Sequence, residues 1–299
     1  MKILNYGSLN LDYAYHLDHF VRAGETEASF ARTMACGGKG LNQSIALARA
    51  GASVMHAGAV GKMDGEVLIQ ALEEAGVDTS LVRRLEDVPS GSAFIQVIPN
   101  GENAIILNGG ANHAVTEEDI DRVLAGFGKD DWLLIQNEIS SLPYLMEKAH
   151  EAGMKIILNP SPMNESIWKM PLEYVDLFLV NEQEASMLSH HAEDPIREFT
   201  RSYPSAAFVI TRGSKGCTYL HGEETVSQDA FHVTAVDTTG AGDTFTGFFL
   251  GTLAEGGSVQ EALRIASAAA AVSVTRPGAG SSIPEKEEVL AFLNADQAK

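Results

Sequence analysis

Five short apolar runs, each closed by turn residues, constrain this chain most strongly: 54–60, 132–136, 155–158, 177–180 and 208–211. They are apolar at successive positions, not alternate ones. Neighbouring residues of a strand point to opposite faces, so such strands must be covered on both sides, as in a parallel sheet. Helical stripes fill the intervals. Leu68, Ala71, Leu72 and Ala75 share one face ahead of Gly76. Leu145, Met146, Ala149 and Ala152 do so between a Ser141/Pro143 start and Gly153,. Ser258 with Glu261 reads as a capping box opening an Ala-rich helix toward Val274,. The alternation predicts an α/β fold: an open, mainly parallel sheet with helices on both faces.

Two regions break the pattern. Residues 11–35 and 90–111 carry no helical stripe; 11–17, 28–34, 93–98 and 104–107 read as strands, with Asn100-Gly101 as a hairpin turn,. These segments are expected to form a small β-sheet lid that closes over a ligand and excludes water. An exposed lid edge also favours pairing of two copies into a homodimer. No repeat or low-complexity linker is visible, so residues 1–299 read as a single α/β domain with an inserted lid,.

A net charge of −19 argues against a nucleic-acid partner, whose affinity comes mostly from Lys and Arg,. Nucleotides remain open as ligands, through backbone N–H groups and a divalent cation. Cys36 and Cys217 are too few for a disulfide framework,. The first strand runs straight into Gly7-Ser8 without a signal-peptide core, and the most apolar stretch, 266–274, is shorter than the ~20 residues a bilayer needs,. A cytoplasmic location without membrane partner is expected.

The strongest chemical signal is Asp237-Thr238-Thr239-Gly240-Ala241-Gly242-Asp243-Thr244-Phe245, followed by Phe248, Phe249 and Leu253 at helical spacing. Small residues at a helix N-terminus make an anion site from unpaired N–H groups and the helix dipole. A carboxylate there repels the anion, so Asp243 is better used to take a proton from a hydroxyl that attacks phosphorus. The plainer alternative is an acidic residue complementing the dipole. Gly37-Gly38-Lys39-Gly40-Leu41-Asn42-Gln43 is a second glycine turn before a helix, and is not a G-x-x-x-x-G-K-[ST] loop,. Asn10 and Asp12 share one side of an extended chain after the first strand, where an amide and a carboxylate can hold adjacent sugar hydroxyls,. Asn181 to Glu184 reads either as an acidic helix start or as a carboxylate reaching Mg²⁺ through water,.

Taken in order, these strings resemble the ribokinase-like (PfkB) carbohydrate kinases. Residues 237–245 are similar to the D-T-x-x-A-G-D-T-F signature, 37–43 to G-G-K-G-x-N-Q, 7–12 to G-S-x-N-x-D, and 181–184 to N-x-x-E. The resemblance implies an ATP-dependent sugar kinase, with ribose converted to ribose 5-phosphate as the leading reaction. It implies Asp243 as base, Gly240, Ala241 and Gly242 as anion hole, and Asn10, Asp12, Gly38, Lys39, Asn42 and Glu138 as sugar contacts. Asn181, Thr211, Gly213, Gly216 and Gly242 would meet ATP, and Glu184 would support Mg²⁺. Asp237, Thr239, Ser273, Arg276, Gly278 and Ser282 would form a monovalent-cation site for K⁺.

Departures exist at Asn108-Gly109-Gly110-Ala111-Asn112 and in a shortened 190–205 stretch. Other acceptors within the family, namely another sugar, a sugar phosphate or a nucleoside, stay open. A phosphorylated acceptor needs an extra cation beyond Lys39 and Arg22. A sugar-binding protein without chemistry leaves Asp243 without a purpose, and a dinucleotide dehydrogenase would need G-x-G-x-x-G where Gly7-Ser8-Leu9-Asn10 stands,.

Overall fold

The computed structural model describes residues 1–297. Its strands are β1 (Ile3–Tyr6), β2 (Asn10–His16), β3 (Ala31–Gly37), β4 (Val54–Gly61), β5 (Asp78–Leu85), β6 (Gly91–Val97), β7 (Asn103–Asn108), β8 (Trp132–Gln136), β9 (Lys155–Asn159), β10 (Leu177–Asn181), β11 (Ala207–Thr211), β12 (Cys217–His221) and β13 (Glu224–Gln228). Its α-helices are α1 (Lys39–Arg49), α2 (Glu66–Glu74), α3 (Glu117–Leu124), α4 (Leu142–Glu151), α5 (Glu182–Leu188), α6 (Pro195–Ser202), α7 (Ala241–Ala254), α8 (Val259–Ser273) and α9 (Lys286–Gln297). Among the described residues the large sheet has nine strands in the order β13-β12-β11-β10-β9-β8-β1-β4-β5. It is parallel from β11 to β5 and antiparallel at the β12 and β13 edge.

Consecutive residues of the central strands divide between two cores. Ile3, Leu134, Ile157, Leu179 and Val209 pack with α1, α2, α7, α8 and α9 on one face. Leu4, Leu133, Ile156, Phe178 and Phe208 pack with α3, α4, α5 and α6 on the other. This double coverage is why the runs are apolar at every position.

Helices α1 and α7 lie unusually close. A Cβ on Gly247 would fall 2.3 Å from Ala46 Cβ, and one on Gly251 would fall 2.6 Å from Ala50 Cβ. Both pairs repeat at the four-residue interval that stacks side chains along one helix face. One interval earlier the pair is Asp243 and Asn42, which are hydrogen-bonded.

Residues 10–37 and 91–108 build the second sheet, ordered β3-β2-β6-β7, with β2 and β6 parallel and both outer pairs antiparallel. The β3 strand begins at Ala31, three residues later than the expected 28, because its register pairs Ala31 with His16 and Gly37 with Asn10. Strands β5, β12 and β13 escape a search for continuous apolar runs, since all three lie at or beside an edge of the sheet and mix polar residues among the apolar ones,. Two expected caps differ in detail. Ser141 takes a left-handed conformation (φ 60°) and its hydroxyl donates to the Val115 carbonyl (3.1 Å) instead of capping α4. Ser258 accepts from the Glu261 N–H at 3.2 Å, the forward half of the expected box.

Candidate active site

Five adjacent strands of the large sheet deliver polar residues at their carboxyl ends. In spatial order they are Thr211 on β11, Asn181 on β10, Asn159 on β9, Glu138 two residues past β8, and Ser8 two residues past β1. Ligands gather at such an edge in open α/β sheets. The first turns of α1 and α7 reach the same edge.

Asp243 is the third residue of α7 and is only 6% exposed. Its Oδ2 accepts from Asn42 Nδ2 (3.0 Å) and its Oδ1 from Gln43 Nε2 (2.8 Å). Asn42 Oδ1 is buried and has no partner among the described residues, leaving an acceptor beside the carboxylate. Gly240 caps α7 at φ 72°, a backbone state that glycine enters without steric cost,. A Cβ on Gly242 would meet nothing within 4 Å, so its backbone is open to an approaching group. The N–H of Ala241, expected in the anion hole, instead donates to the Thr238 carbonyl at 3.3 Å.

Toward β1 the site is acidic. Glu138 Oε2 accepts from the Ser8 hydroxyl and from Lys39 N (3.0 Å). Burial raises the Glu138 pKa, and the Asp243 charge adds to the rise against the opposing Ser8 and Lys39 contacts. Asp12 is pushed up to about 7 by burial, with Glu138 contributing. Lys39 moves upward as well: burial alone would lower it, but Asp243, Glu138 and Glu184 together outweigh that loss. Asn10 receives a bond from Asn112 Nδ2 (2.7 Å), and Asn112 Oδ1 accepts from Leu9 N (3.0 Å).

A cleft of about 230 Å³ runs from Lys39 and Asp243 toward β11, lined by Asn159, Asn181, Glu184, Thr211, Gly240 and Gly242 among others. Asn181 and Glu184 form a reciprocal capping box on α5 (2.9 and 3.0 Å), and Glu184 also accepts from the Ser161 hydroxyl. Gly213 and Gly216 do not line this cleft. Gly216 instead sits hard against the chain after β13, where a Cβ would fall 2.1 Å from the Gln228 carbonyl.

Asp237 ties two loops together. Its Oδ1 accepts from Thr239 N (2.9 Å) and Oγ1 (2.6 Å), and its Oδ2 accepts from Gly278 N (2.8 Å). Burial works to raise its pKa, yet these bonds prevail and hold it below the usual value. The Arg276 guanidinium turns away to Glu288, and the hydroxyls of Ser273 and Ser282 bond the carbonyls of Ala270 and Ala279. What these positions can offer a cation is therefore mainly carbonyl oxygen.

A buried carboxylate beside an open helix N-terminus suits proton removal from an alcohol as phosphate arrives. The fold and site thus define a phosphotransferase acting on small hydroxylated acceptors. Residues 1–286 match the pfkB family carbohydrate kinases, and the chain belongs to that family. It is 35% identical to the ribokinase of Haemophilus influenzae over 96% of both chains. It is 32% identical to the deoxyribokinase of Salmonella typhi over 99% of this chain and all of that one. The structure of Arabidopsis thaliana ribokinase complexed with ribose and ATP superposes with a TM-score of 0.88, at 30% identity and 98% coverage of each chain.

Ser8, Gln43, Asn112 and Asn159 are site residues that motif reading passed over. The signal for Asn159 was its place at a strand's carboxyl end; the others lay inside quoted strings. For Asp12, ionisation in the folded chain costs stability. Its folded pKa lies above the ordinary 3.8, so the penalty is absent when both states are protonated and complete once pH exceeds about 7,. Asp12→Asn is expected to melt progressively higher than wild type as pH rises from about 4 to about 7, with the difference levelling off above that,. Melting curves in which the difference stays constant would show that Asp12 titrates normally.

Proposed function

We propose that this enzyme transfers the γ-phosphoryl group of ATP to the primary hydroxyl of ribose, giving ribose 5-phosphate and ADP. The observation that carries the reading is the buried Asp243 carboxylate, held by Asn42 and Gln43 at the open first turn of α7. In this scheme the sugar O–H donates to Asp243, its oxygen forms a bond to the γ-phosphorus, and the bond from that phosphorus to the bridging oxygen of ADP breaks. Asp243 keeps the proton. Gly240, Ala241 and Gly242 cradle the moving group, Gly242 foremost, because the Ala241 N–H is shared with Thr238.

Asn10, Asp12, Gly38, Lys39, Asn42 and Glu138 hold the sugar, and Asn181, Thr211, Gly213 and Gly216 lie toward the nucleotide. Two carboxylates, Glu138 and Asp243, flank Lys39 at the sugar end, and a third, Asp12, stands beside Glu138. That balance disfavours an acceptor already carrying phosphate and favours a neutral sugar. The same acidity opposes ATP, so charge neutralisation by Mg²⁺ is needed. The buried Glu184 carboxylate on the cleft suits a hydrated Mg²⁺, which would neutralise the phosphates,. Asp237, Thr239 and the carbonyls around Ser273, Arg276, Gly278 and Ser282 suit K⁺, a hard cation that takes oxygen donors.

The smaller sheet serves as a lid on a single α/β domain. Met34, Tyr13, Phe94 and Ile106 are paired in one row across its four strands, on the face opposite Asp12,. Ile106 is 64% exposed, and Phe94 and Met34 are also exposed. Two copies pack through this apolar row into a homodimer. An enzyme of this kind, which consumes ATP and takes K⁺ as an activator, works in the cytoplasm.

Asp243→Asn is expected to lower kcat by roughly 10²–10⁴-fold with little change in KM for either substrate, in an ADP-release assay screened across pentoses, hexoses, sugar phosphates and nucleosides. Near-wild-type turnover would remove the base, and a preferred acceptor other than ribose would replace the substrate. Exchange of K⁺ for tetramethylammonium in that assay should depress the rate; indifference would exclude the cation. Light scattering should report a dimer that Ile106→Lys converts to monomer, whereas a monomeric wild type would dispose of the pairing.

A further inference from the structure

Beneath Asp243 runs a chain of polar side chains, nearly all wholly buried, whose members behind Gln43 have no part in the reaction scheme. Gln43 donates one Nε2 hydrogen to Asp243 Oδ1 (2.8 Å) and the other to Asn159 Oδ1 (3.1 Å). Gln136 Nε2 donates to Gln43 Oε1 (2.7 Å) and to Asn5 Oδ1 (3.0 Å). Asn5 Nδ2 donates to the Gly40 carbonyl and to Ser44 Oγ, both at 2.8 Å. Ser44 Oγ is 2.8 Å from Nδ1 of His56. Gln43, Asn5, Ser44 and His56 are 0% exposed, and Gln136 is 1% exposed.

We propose that Gln43 is a positioning residue for Asp243, and that the relay through Gln136 and Asn5 fixes which end of its amide faces the carboxylate. This rests on Asp243 being the base. The two ends of an amide have the same shape, and a flipped Gln43 would set its oxygen against an Asp243 oxygen. What prevents the flip is the direction of every bond behind it. A backbone carbonyl has no hydrogen to give. Gly40 O therefore fixes Asn5 with its NH₂ toward α1 and its oxygen toward Gln136. Gln136 must then give one hydrogen of its single NH₂ group to each neighbour, and Gln43 must receive at Oε1 and donate at Nε2,. At the other end, Asn159 Nδ2 donates to the Leu179 carbonyl (2.9 Å), which turns the Asn159 oxygen to Gln43. The relay is thus anchored at both ends on groups that can only accept. His56 agrees with this polarity: burial holds its pKa down at about 4, so at neutral pH its Nδ1 can accept from Ser44.

A buried polar network often serves only to satisfy itself. Here, among the described residues, the one carboxylate bonded to it is Asp243. Asn42 and Gln43 bind different oxygens of that carboxylate, which blocks its rotation and leaves a defined direction for an incoming hydroxyl. Loss of orientation at the reacting atoms is felt in turnover more than in binding.

The test is a double-mutant cycle. Gln43→Met and Gln136→Met would be made alone and combined with Asp243→Asn, with kcat and KM measured for ribose and ATP and folding followed by circular dichroism. Gln43→Met is expected to lower kcat by about 10- to 100-fold while each KM stays within about twofold, and Gln136→Met to do the same more weakly. In the Asp243→Asn background neither should cause further loss, because the residue they orient is gone. Multiplying losses, a change confined to KM, or wild-type kcat would each overturn the inference. Should Gln43→Met fail to fold, Gln136→Met decides by the same criteria. Near-normal turnover of Asp243→Asn alone would instead remove the base, and with it this role; an impaired Asp243→Asn with multiplying losses removes only the role of Gln43.

Discussion

The contact between α1 and α7 is the constraint on which the rest of the molecule depends. Small residues at four-residue spacing, Ala46 and Ala50 against Gly247 and Gly251, bring the two helices nearly to backbone contact. One turn nearer the sheet edge the same ladder ends in a polar rung, Asn42 with Asp243. The helices therefore set a carboxylate from one end of the sequence against amides from the other, 200 residues apart. A side chain larger than glycine at 247 would push the helices apart and open the rung with them. Shape complementarity in the apolar core thus fixes geometry in the polar site.

The site carries an electrostatic cost that this packing sustains. Burial alone disfavours the charged forms of Asp12 and Glu138; Glu138 makes ionisation of Asp12 harder, and Asp243 does the same to Glu138,. Lys39 is the cation beside Glu138, and its proton is held by Asp243, Glu138 and Glu184. Clustered like charges cost folding free energy, which the two large cores on either side of the sheet offset,. Local destabilisation of this kind is common where groups are kept ready for chemistry.

The parallel core was legible because double coverage forces apolar residues at every strand position, a pattern no exposed strand shows. Runs 132–136 and 208–211 fall within β8 and β11 almost to the residue. The edges were not legible for the converse reason. Strands β5, β12 and β13 carry polar residues throughout, so their composition resembles that of loops. In the site, residues at glycine turns announced themselves, since backbone demands narrow the choice of residue there. Gln136 did not, and Gln43, though inside the 37–43 string, gave no hint of its bond to Asp243. A buried glutamine has no local signature, and its importance arises from partners about 90 to 200 residues distant. Resemblance carried over the Thr211 turn as a whole, yet only Thr211 reaches the cleft while Gly216 answers a steric demand at the sheet edge.

The joints between the two sheets are short. Three residues, 7–9, lead from β1 into β2, and Gly38 alone separates β3 from α1. Ser8, at the first joint, bonds Glu138, and Asn112, at the return from β7, holds Leu9 and Asn10. The joint between the two sheets and the β1 end of the candidate site are consequently the same few residues. Any tilt of the smaller sheet must redraw the pocket, and a sugar seated there would act as a wedge that sets the angle between the two halves.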